Sequence, residues 1–258
     1  MPRLAILLRL KVKNVSFSCH HSDGRAVILS HKHRFIFLKT RKTASTSIEL
    51  VLFPHCGDDD IITPLTPTEL TRRVGHRARN HLRPILSLDP RPLIHEFYPI
   101  EGWKWVDFHD HIRAEDIREY VGEKIWRSYY KFSFDRNIYD RQVSWYHYRT
   151  KTPKSARRWP DFPTFLHRSH RAKVDNYQIY TIDGKVAVDF IGNYETLATD
   201  LKTVMRTLGL PQPAQMPFAK RGVRPESSRA YRSYYNNRTR ALVESWYPGE
   251  LSLFGHEF

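Results

Sequence analysis

The most constraining feature of the sequence is a pair of strands of buried character, each followed by a polar loop and then a helical segment. The first strand is predicted over residues 34–39 (RFIFLK) and the second over residues 129–134 (YYKFSF), because both are rich in aromatic and branched side chains. A third is predicted over residues 186–191 (VAVDFI). Strands that alternate with helices along a chain indicate an α/β fold, with a mainly parallel central sheet and helices on both faces.

Helices are predicted between these strands. One begins at residues 48–53, capped by Thr46 or Ser47, and others cover residues 114–122 and 139–148. The clearest spans residues 195–208, where one helical face is apolar and Gly209 and Pro211 follow. The apolar face consists of Leu197, Leu201, Val204, Met205 and Leu208.

The chain is predicted to form a single domain over residues 1–258. Prolines interrupt residues 58–102, which predicts an irregular insertion with one short helix near residues 69–74. Loops of this length inside a compact domain are often functional, so the insertion is expected either to shape an acceptor pocket or to cover the sheet edge.

The net charge of the chain indicates an anionic partner but does not identify it. Lys and Arg number 42 against 27 acidic residues, a net charge of +15, and such a field attracts anions. Nucleic acid, acidic membrane, a nucleotide or an acidic acceptor all fit this balance. The two cysteines, Cys19 and Cys56, form no CxxC pair and favour a reducing, cytoplasmic location.

Membrane and metal sites are not indicated. The apolar stretch at residues 4–8 is too short to cross a bilayer, is followed by Arg9 and lacks a cleavage signal, so it is read as a strand or a frayed terminus. The nearest candidate for a metal site is residues 109–111 (HDH), and two histidines are a thin ligand set. We therefore expect no transmembrane segment and no metal; the oligomeric state stays open.

The polar loop after the first strand has the composition of an anion site. It carries Lys39, Arg41 and Lys42 together with short hydroxyl side chains, and a helix follows. Helix N-termini bind phosphate through backbone N–H groups and a partial positive charge. The loop lacks GxxxxGK[ST], so an ordinary ATPase or GTPase is disfavoured. A solvated basic turn that caps a helix is an equally good interpretation of this segment alone.

The second loop offers a matching pair of residues. Arg136 follows the second strand, and Ser144 lies eight residues later in the next helix. A guanidinium fork at a strand end can grip a phosphate, and the hydroxyl can add a donor. Alternatively, Arg136 is a surface residue paired with Asp135 or Asp140, and Ser144 points to solvent.

Together these segments resemble a known family. RKTASTSIE (residues 41–49) looks like the PKTAGTS loop of PAPS-dependent sulfotransferases, in the branch of the carbohydrate-type and small bacterial enzymes, where PAPS is 3′-phosphoadenosine-5′-phosphosulfate. KFSFDRNIYDRQVSWY (residues 131–146) looks like the second signature of that family, R-N-P-x-x-R-x-x-S after a strand. Further stretches at residues 56–64, 180–197 and 250–258 also fit, so the resemblance covers residues 35–258.

The resemblance implies a P-loop-like, three-layer fold and a sulfuryl transfer from PAPS to a hydroxyl of a small molecule or carbohydrate, leaving 3′,5′-ADP. It implies that Arg136 and Ser144 bind the 3′-phosphate. The first loop would hold the 5′-phosphosulfate, with Lys42 as the catalytic lysine; its residues are Arg41, Lys42, Thr43, Ala44, Ser45, Thr46 and Ser47.

Three positions depart from the pattern of the family. Arg41 and Ile138 replace prolines, and Ser45 replaces a glycine. Because glycine often permits a positive φ, Ser45 predicts either a looser loop or an additional hydroxyl donor.

Two further residues are candidates by resemblance. Arg221, in a basic loop at residues 219–229, loosely matches a loop that binds the 3′-phosphate in cytosolic relatives, although a solvated loop fits as well. His111 matches H-x-x-A-x-x-I and is the candidate general base, since histidine ordinarily titrates near pH 6.5; His109 is the weaker alternative. His111 would otherwise cap a helix or form a hydrogen bond across the fold.

Two other functions remain as competing hypotheses. A basic protein that binds nucleic acid would suit the charge and the 13% aromatic content, although no familiar nucleic-acid motif occurs. A member of the family that binds the nucleotide without turnover would suit the three departures.

Overall fold

A computed structural model describes residues 27–65, 75–84, 104–106, 111–170, 172–214 and 230–258. Its strands, in chain order, are β1 (Ile28–Ser30), β2 (Phe35–Leu38), β3 (Ile61–Ile62), β4 (Leu82–Pro84), β5 (Lys104–Val106), β6 (Tyr130–Asp135), β7 (Thr181–Ile182), β8 (Lys185–Val186) and β9 (Phe190–Asn193). Its helices are α1 (Ser45–Leu52), α2 (Ala114–Ser128), α3 (Ile138–Arg149), α4 (Pro153–Arg158), α5 (Phe162–Arg168), α6 (Tyr177–Tyr180), α7 (Leu197–Thr207), α8 (Asn237–Trp246) and α9 (Pro248–Phe254), with 3₁₀ turns at Phe53–His55 and Tyr231–Tyr234.

Five strands form the main sheet in the order β3-β1-β2-β6-β9. β2, β6 and β9 run parallel, whereas β1 pairs antiparallel with both β2 and β3. The α/β class is therefore confirmed, but the sheet is mixed rather than mainly parallel. The connection from β1 to β2 spans residues 31–34, and so short a turn can join only antiparallel strands.

Apolar layers cover both faces of this sheet. On one face, side chains of β2 and β6, including Phe37 and Phe132, pack against α1 and α7. On the other face, Leu29 and Ile36 pack against α2. Burial on both faces explains why β2 (FIFL) is continuously apolar. A further core joins α3, α5, α8 and α9 beside the sheet.

The first two predicted strands are confirmed, at β2 and β6, and the helix predicted at residues 195–208 is confirmed at α7. The third predicted strand is wrong in its position. Asp183 and Gly184 have φ of 51° and 71°, so they form the two-residue turn of the β7–β8 hairpin, and the sheet strand begins only at Phe190. Gly192 is required in that strand, because a Cβ there would lie 2.4 Å from the ring of Phe134.

The segment of α2 is longer than predicted. The helix predicted at residues 114–122 is confirmed up to Gly122, whose φ of 78° interrupts it, and a further helical segment continues to Ser128.

In the expected insertion, the described residues include β3 and β4, and the helix predicted at residues 69–74 lies outside the described ranges. Within those ranges, no helix combines the length and apolar character needed to cross a membrane.

Candidate active site

The loop after β2 folds back on itself. Lys42 and Ala44 both adopt a left-handed backbone, with φ of 66° and 58°. The hydroxyl of Ser45 donates to the carbonyl of Thr40 at 2.9 Å, and the hydroxyls of Thr40 and Thr43 are 2.9 Å apart. The hydroxyl of Thr40 also donates to a backbone carbonyl of β6. Short hydroxyl side chains thus fix the shape of the loop.

Ser45, which stands where the family usually has a glycine, is a helical residue. Ser45 is the first residue of α1 and is not among the residues of positive φ, so a serine fits there without backbone strain. Thr46 and Ser47 lie in the first turn of α1, and Ala44 occupies the capping position without a side-chain hydrogen bond. The prediction that Thr46 or Ser47 caps the helix is therefore wrong. All three hydroxyl residues are buried.

The basic residues of this loop have different environments. Lys39 is buried at the end of β2 and pairs with Glu49 of α1 at 3.2 Å. Lys42 is half-buried, and its ammonium lies 4.3 Å from the centre of the Tyr148 ring. Arg41 is held through its main chain by Asn176, which accepts from its N–H at 2.9 Å and donates to its carbonyl at 3.0 Å. Lys42 is thus the lysine nearest the middle of the loop.

Arg136 joins the second loop to the first. It follows β6 directly, and its Nη1 donates to the carbonyl of Lys42 at 3.2 Å. Its Nε donates to Asp140 at 2.7 Å, and its guanidinium lies 3.8 Å from the centre of the Tyr194 ring. Its side chain is only 8% exposed. The pairing with Asp140 considered from the sequence is present, but the arginine is not a surface residue.

Helix α3 turns one face toward the first loop. Asp140, Ser144 and Tyr148 are spaced by four residues and therefore lie on one side of the helix. Arg136 contacts the first of them and Lys42 contacts the third, so half-buried Ser144 lies between these two contacts along the helix.

The start of α3 accommodates the second departure from proline. Asn137 caps the helix by accepting from the N–H groups of Tyr139 and Asp140, and Ile138 is the first helical residue. Proline is common at that position because its missing N–H is not needed there. Isoleucine keeps the helix start and is completely buried.

A buried ionic network lies behind both loops, centred on Asp135. Its carboxylate accepts from the N–H of Arg136, from Nη1 of Arg141 and from the hydroxyl of Tyr180, each at 2.8 Å. Arg141 is fully buried and donates also to Glu250 of α9 at 2.8 Å. Burial raises the pKa of Tyr180, with the negative charge of Asp135 as the second cause, so the phenol remains a donor. Charge pairing of this kind is what allows ionised groups in a core.

His111 lies beside the first loop. Its Nδ1 is 2.8 Å from the carbonyl of Lys39, and its φ is 55°. A carbonyl only accepts, so Nδ1 carries the proton and Nε2 is the accepting nitrogen of the neutral ring. This is the hydrogen bond across the fold considered from the sequence. It brings the ring to the same end of β2 as Lys42.

The remaining candidates cannot be placed. His109 and Arg221 lie outside the described residues, as do residues 219–229 and Cys19. Across the described ranges, no group of three His, Cys, Asp or Glu side chains is arranged to hold a metal ion. The structure therefore brings together the first loop, Arg136, Ser144 and His111.

Sequence reasoning missed the residues that support these groups. Asn176 and Tyr148 belong to none of the matching stretches, and Tyr194 lies in one of them without an assigned role. Asn176 is 135 positions from the residue it holds. Among these contacts, the pairing of Asp140 with Arg136 had a sequence signal, because opposite charges four residues apart at the start of a helix lie within reach of each other.

Comparison with known proteins places the chain in a family. A protein of Archaeoglobus fulgidus described as uncharacterized is 36% identical over 99 residues, which is 37% of this chain and 81% of that relative. No solved structure matches the chain significantly. The model of the sulfotransferase family matches residues 25–257, a range that contains both basic loops and confirms the resemblance. The chain belongs to the sulfotransferase family.

Proposed function

We propose that this chain is a PAPS-dependent sulfotransferase that acts on a hydroxyl of a small molecule or carbohydrate. One observation carries the proposal: Arg136, at the end of β6, donates to the carbonyl of Lys42 in the loop after the neighbouring parallel strand β2. The two basic segments therefore lie side by side and form one cradle. Each can offer positive charge to one of the two phosphate groups of a nucleotide that is phosphorylated on both sides of its ribose.

The residues present fit such a donor. The N-terminus of α1 offers backbone N–H groups and a partial positive charge to a 5′-phosphosulfate. Arg136 and Ser144 supply a guanidinium and a hydroxyl for the 3′-phosphate. Ser144 lies on the same side of α3 as Asp140, which pairs with Arg136. The acidic Asp140 is paired with Arg136, which reduces its repulsion of an incoming phosphate.

Lys42 and His111 divide the chemistry in this proposal. When bound, PAPS supplies the sulfuryl group, whose bond to the phosphate oxygen breaks as a bond to the acceptor oxygen forms in line. Lys42 stabilises the charge that develops on the departing phosphate oxygen. His111 accepts the proton of the acceptor hydroxyl at Nε2, while its Nδ1–H remains on the carbonyl of Lys39.

The resting position of Lys42 is consistent with that role. Its ammonium lies 4.3 Å from the centre of the Tyr148 ring, beside the cradle. An anionic oxygen attracts an ammonium more strongly than an aromatic face does, so a bound donor can draw the lysine toward the departing oxygen.

Binding and turnover test the proposal separately. Calorimetry should show that 3′,5′-ADP binds the wild-type chain and that oligonucleotides of equal charge do not displace it. Incubation with PAPS and metabolite extracts, read by mass spectrometry, should show an added sulfuryl group on an acceptor. Displacement by oligonucleotides would favour the nucleic-acid hypothesis. Binding of 3′,5′-ADP with no sulfated product from any acceptor class would favour a member of the family without turnover.

We also propose a cytoplasmic location, supported by the two cysteines of the whole chain. Burial raises the pKa of Cys56 to about 12, so this thiol stays protonated and unreactive.

A further inference from the structure

Asn176 forms three hydrogen bonds that use its whole side-chain amide. Its Oδ1 accepts from the N–H of Arg41 at 2.9 Å, and its Nδ2 donates to the carbonyl of Arg41 and to Asp135, both at 3.0 Å. The side chain is completely buried. The amide thus binds both backbone polar groups of residue 41, as a residue of a neighbouring antiparallel strand would.

The two partners of Asn176 lie on different halves of the candidate site. Arg41 belongs to the first loop and immediately precedes Lys42. Asp135 precedes Arg136 and accepts from its N–H at 2.8 Å. Asn176 is thus one residue removed from the proposed catalytic lysine on one side and from the proposed 3′-phosphate ligand on the other.

The contact between Asn176 and residue 41 depends on the departure from proline at position 41. Proline has no backbone N–H, so a chain with the usual proline cannot make the bond from residue 41 to Asn176. The following residue, Lys42, has a φ of 66°, and a left-handed backbone at a residue other than glycine persists only when its surroundings hold it. Asn176 fixes the peptide immediately before that position.

We infer that Asn176 is a positioning residue that couples the two halves of the nucleotide site, holding the first loop in register with the Asp135–Arg136 segment. This inference rests on the donor site proposed above. A ligand that spans both halves benefits from their fixed separation, because it does not lose free energy in ordering them. A ligand that occupies one half does not.

The test compares ligands that fill one half or both. Calorimetry gives the dissociation constants of 5′-AMP, 3′-AMP and 3′,5′-ADP for the wild-type chain and Asn176→Ala. The gain from the 3′-phosphate is the ratio of the constants for 5′-AMP and 3′,5′-ADP. We expect Asn176→Ala to reduce this gain by about tenfold, the equivalent of one or two lost hydrogen bonds, while 3′-AMP binding changes less than threefold by roughly the same scale.

Asn236→Ala is the matched control. Asn236 is exposed and caps α8 by accepting from the N–H of Thr239 at 2.9 Å. Its replacement also removes an asparagine hydrogen bond and lowers the melting temperature, but should leave the gain from the 3′-phosphate unchanged.

A second pair of variants isolates the backbone N–H and serves if Asn176→Ala does not fold. Arg41→Ala keeps the N–H that Asn176 accepts, whereas Arg41→Pro removes it, and both remove the same guanidinium. The gain from the 3′-phosphate should be smaller in Arg41→Pro than in Arg41→Ala. Equal gains in this pair, or an unchanged gain in folded Asn176→Ala, would overturn the inference while leaving the donor site standing. A wild-type chain that binds none of the three nucleotides would instead overturn the donor site and the inference together.

Discussion

Removal of the Arg136 side chain should weaken ligands with a 3′-phosphate far more than ligands without one. The lost charge-assisted hydrogen bond is worth about 1.5–3 kcal/mol, roughly a 10- to 150-fold rise in Kd. Arg136→Ala also leaves Asp140 without the guanidinium that lies 2.5 Å from its carboxylate. The uncovered charge would repel the phosphate by on the order of 1 kcal/mol, a further factor of about five.

The effect on a ligand without that phosphate should be small. Arg136 touches the first loop only through the carbonyl of Lys42, at 3.2 Å. This charge-assisted bond is present in the free and in the bound chain, so its loss acts on 5′-AMP only through the loop, and the Kd of 5′-AMP should rise no more than roughly tenfold. The Kd of 3′,5′-ADP should rise well beyond that.

Calorimetry on both nucleotides measures this contrast, with two further variants to separate its causes. Arg136→Ala combined with Asp140→Asn should recover the part due to repulsion, about fivefold by the same Coulomb estimate. Arg157→Ala removes one exposed positive charge from α4 and controls for net charge. Equal losses for 5′-AMP and 3′,5′-ADP in Arg136→Ala would refute the reasoning, because the arginine would then act on the loop and not on the 3′-phosphate.

Three further outcomes are expected. Lys42→Ala should reduce kcat far more than it weakens 3′,5′-ADP, because its charge acts as the leaving oxygen becomes charged; near-normal turnover would remove it from the chemistry. His111→Ala should lower kcat by about 10²–10⁴-fold, keep 3′,5′-ADP binding and abolish the acidic limb of the pH–rate profile, and a variant that retains both rate and limb would exclude it as the base. Burial lowers the pKa of His76 to about 4, below its ordinary value, so its contribution to stability is present at neutral pH and is lost as pH falls from about 6.5 toward about 4. His76→Phe, which preserves a ring against Phe53 at the 4.8 Å separation seen here, should therefore lose less stability than wild type on acidification in denaturant titrations, and parallel losses would contradict this.

The elements with a clear local pattern in the sequence were predicted correctly. β2, β6 and α7 follow from apolar runs and helical spacing, and these elements place both loops at one end of the parallel strands. The antiparallel strand β1 was not predicted, although Ile28 and Leu29 belong to a short apolar run, because so short a run does not distinguish a strand from a piece of buried helix. The turn at residues 183–184 did carry a signal, an Asp-Gly pair between branched residues, that identifies the β7–β8 hairpin.

The supporting side chains of the site could not be predicted in the same way. Asn176 lies outside every matching stretch, and Glu250 lies in one that gave it no role. Both support the site through other residues, at sequence separations of 135 and 109 residues from Arg41 and Arg141. Nothing in the periodicity of a helix or strand encodes such a contact. Only the assembled sheet brings the peptide of Arg41, the carboxylate of Asp135 and the amide of Asn176 together.

The departures from the pattern of the family have local explanations that bear on turnover. Ser45 occupies a helical position, Ile138 begins a capped helix, and Arg41 has an N–H that Asn176 uses. Each replacement therefore fits the backbone that it occupies, and the residues of positive φ in the loop are Lys42 and Ala44, where the sequence follows the usual pattern. A loop degraded by drift would be expected to show lost hydrogen bonds at the altered positions. Here the altered position 41 forms a hydrogen bond to Asn176 that a proline could not form. This argues that the loop has been kept in a shape suited to binding an anion.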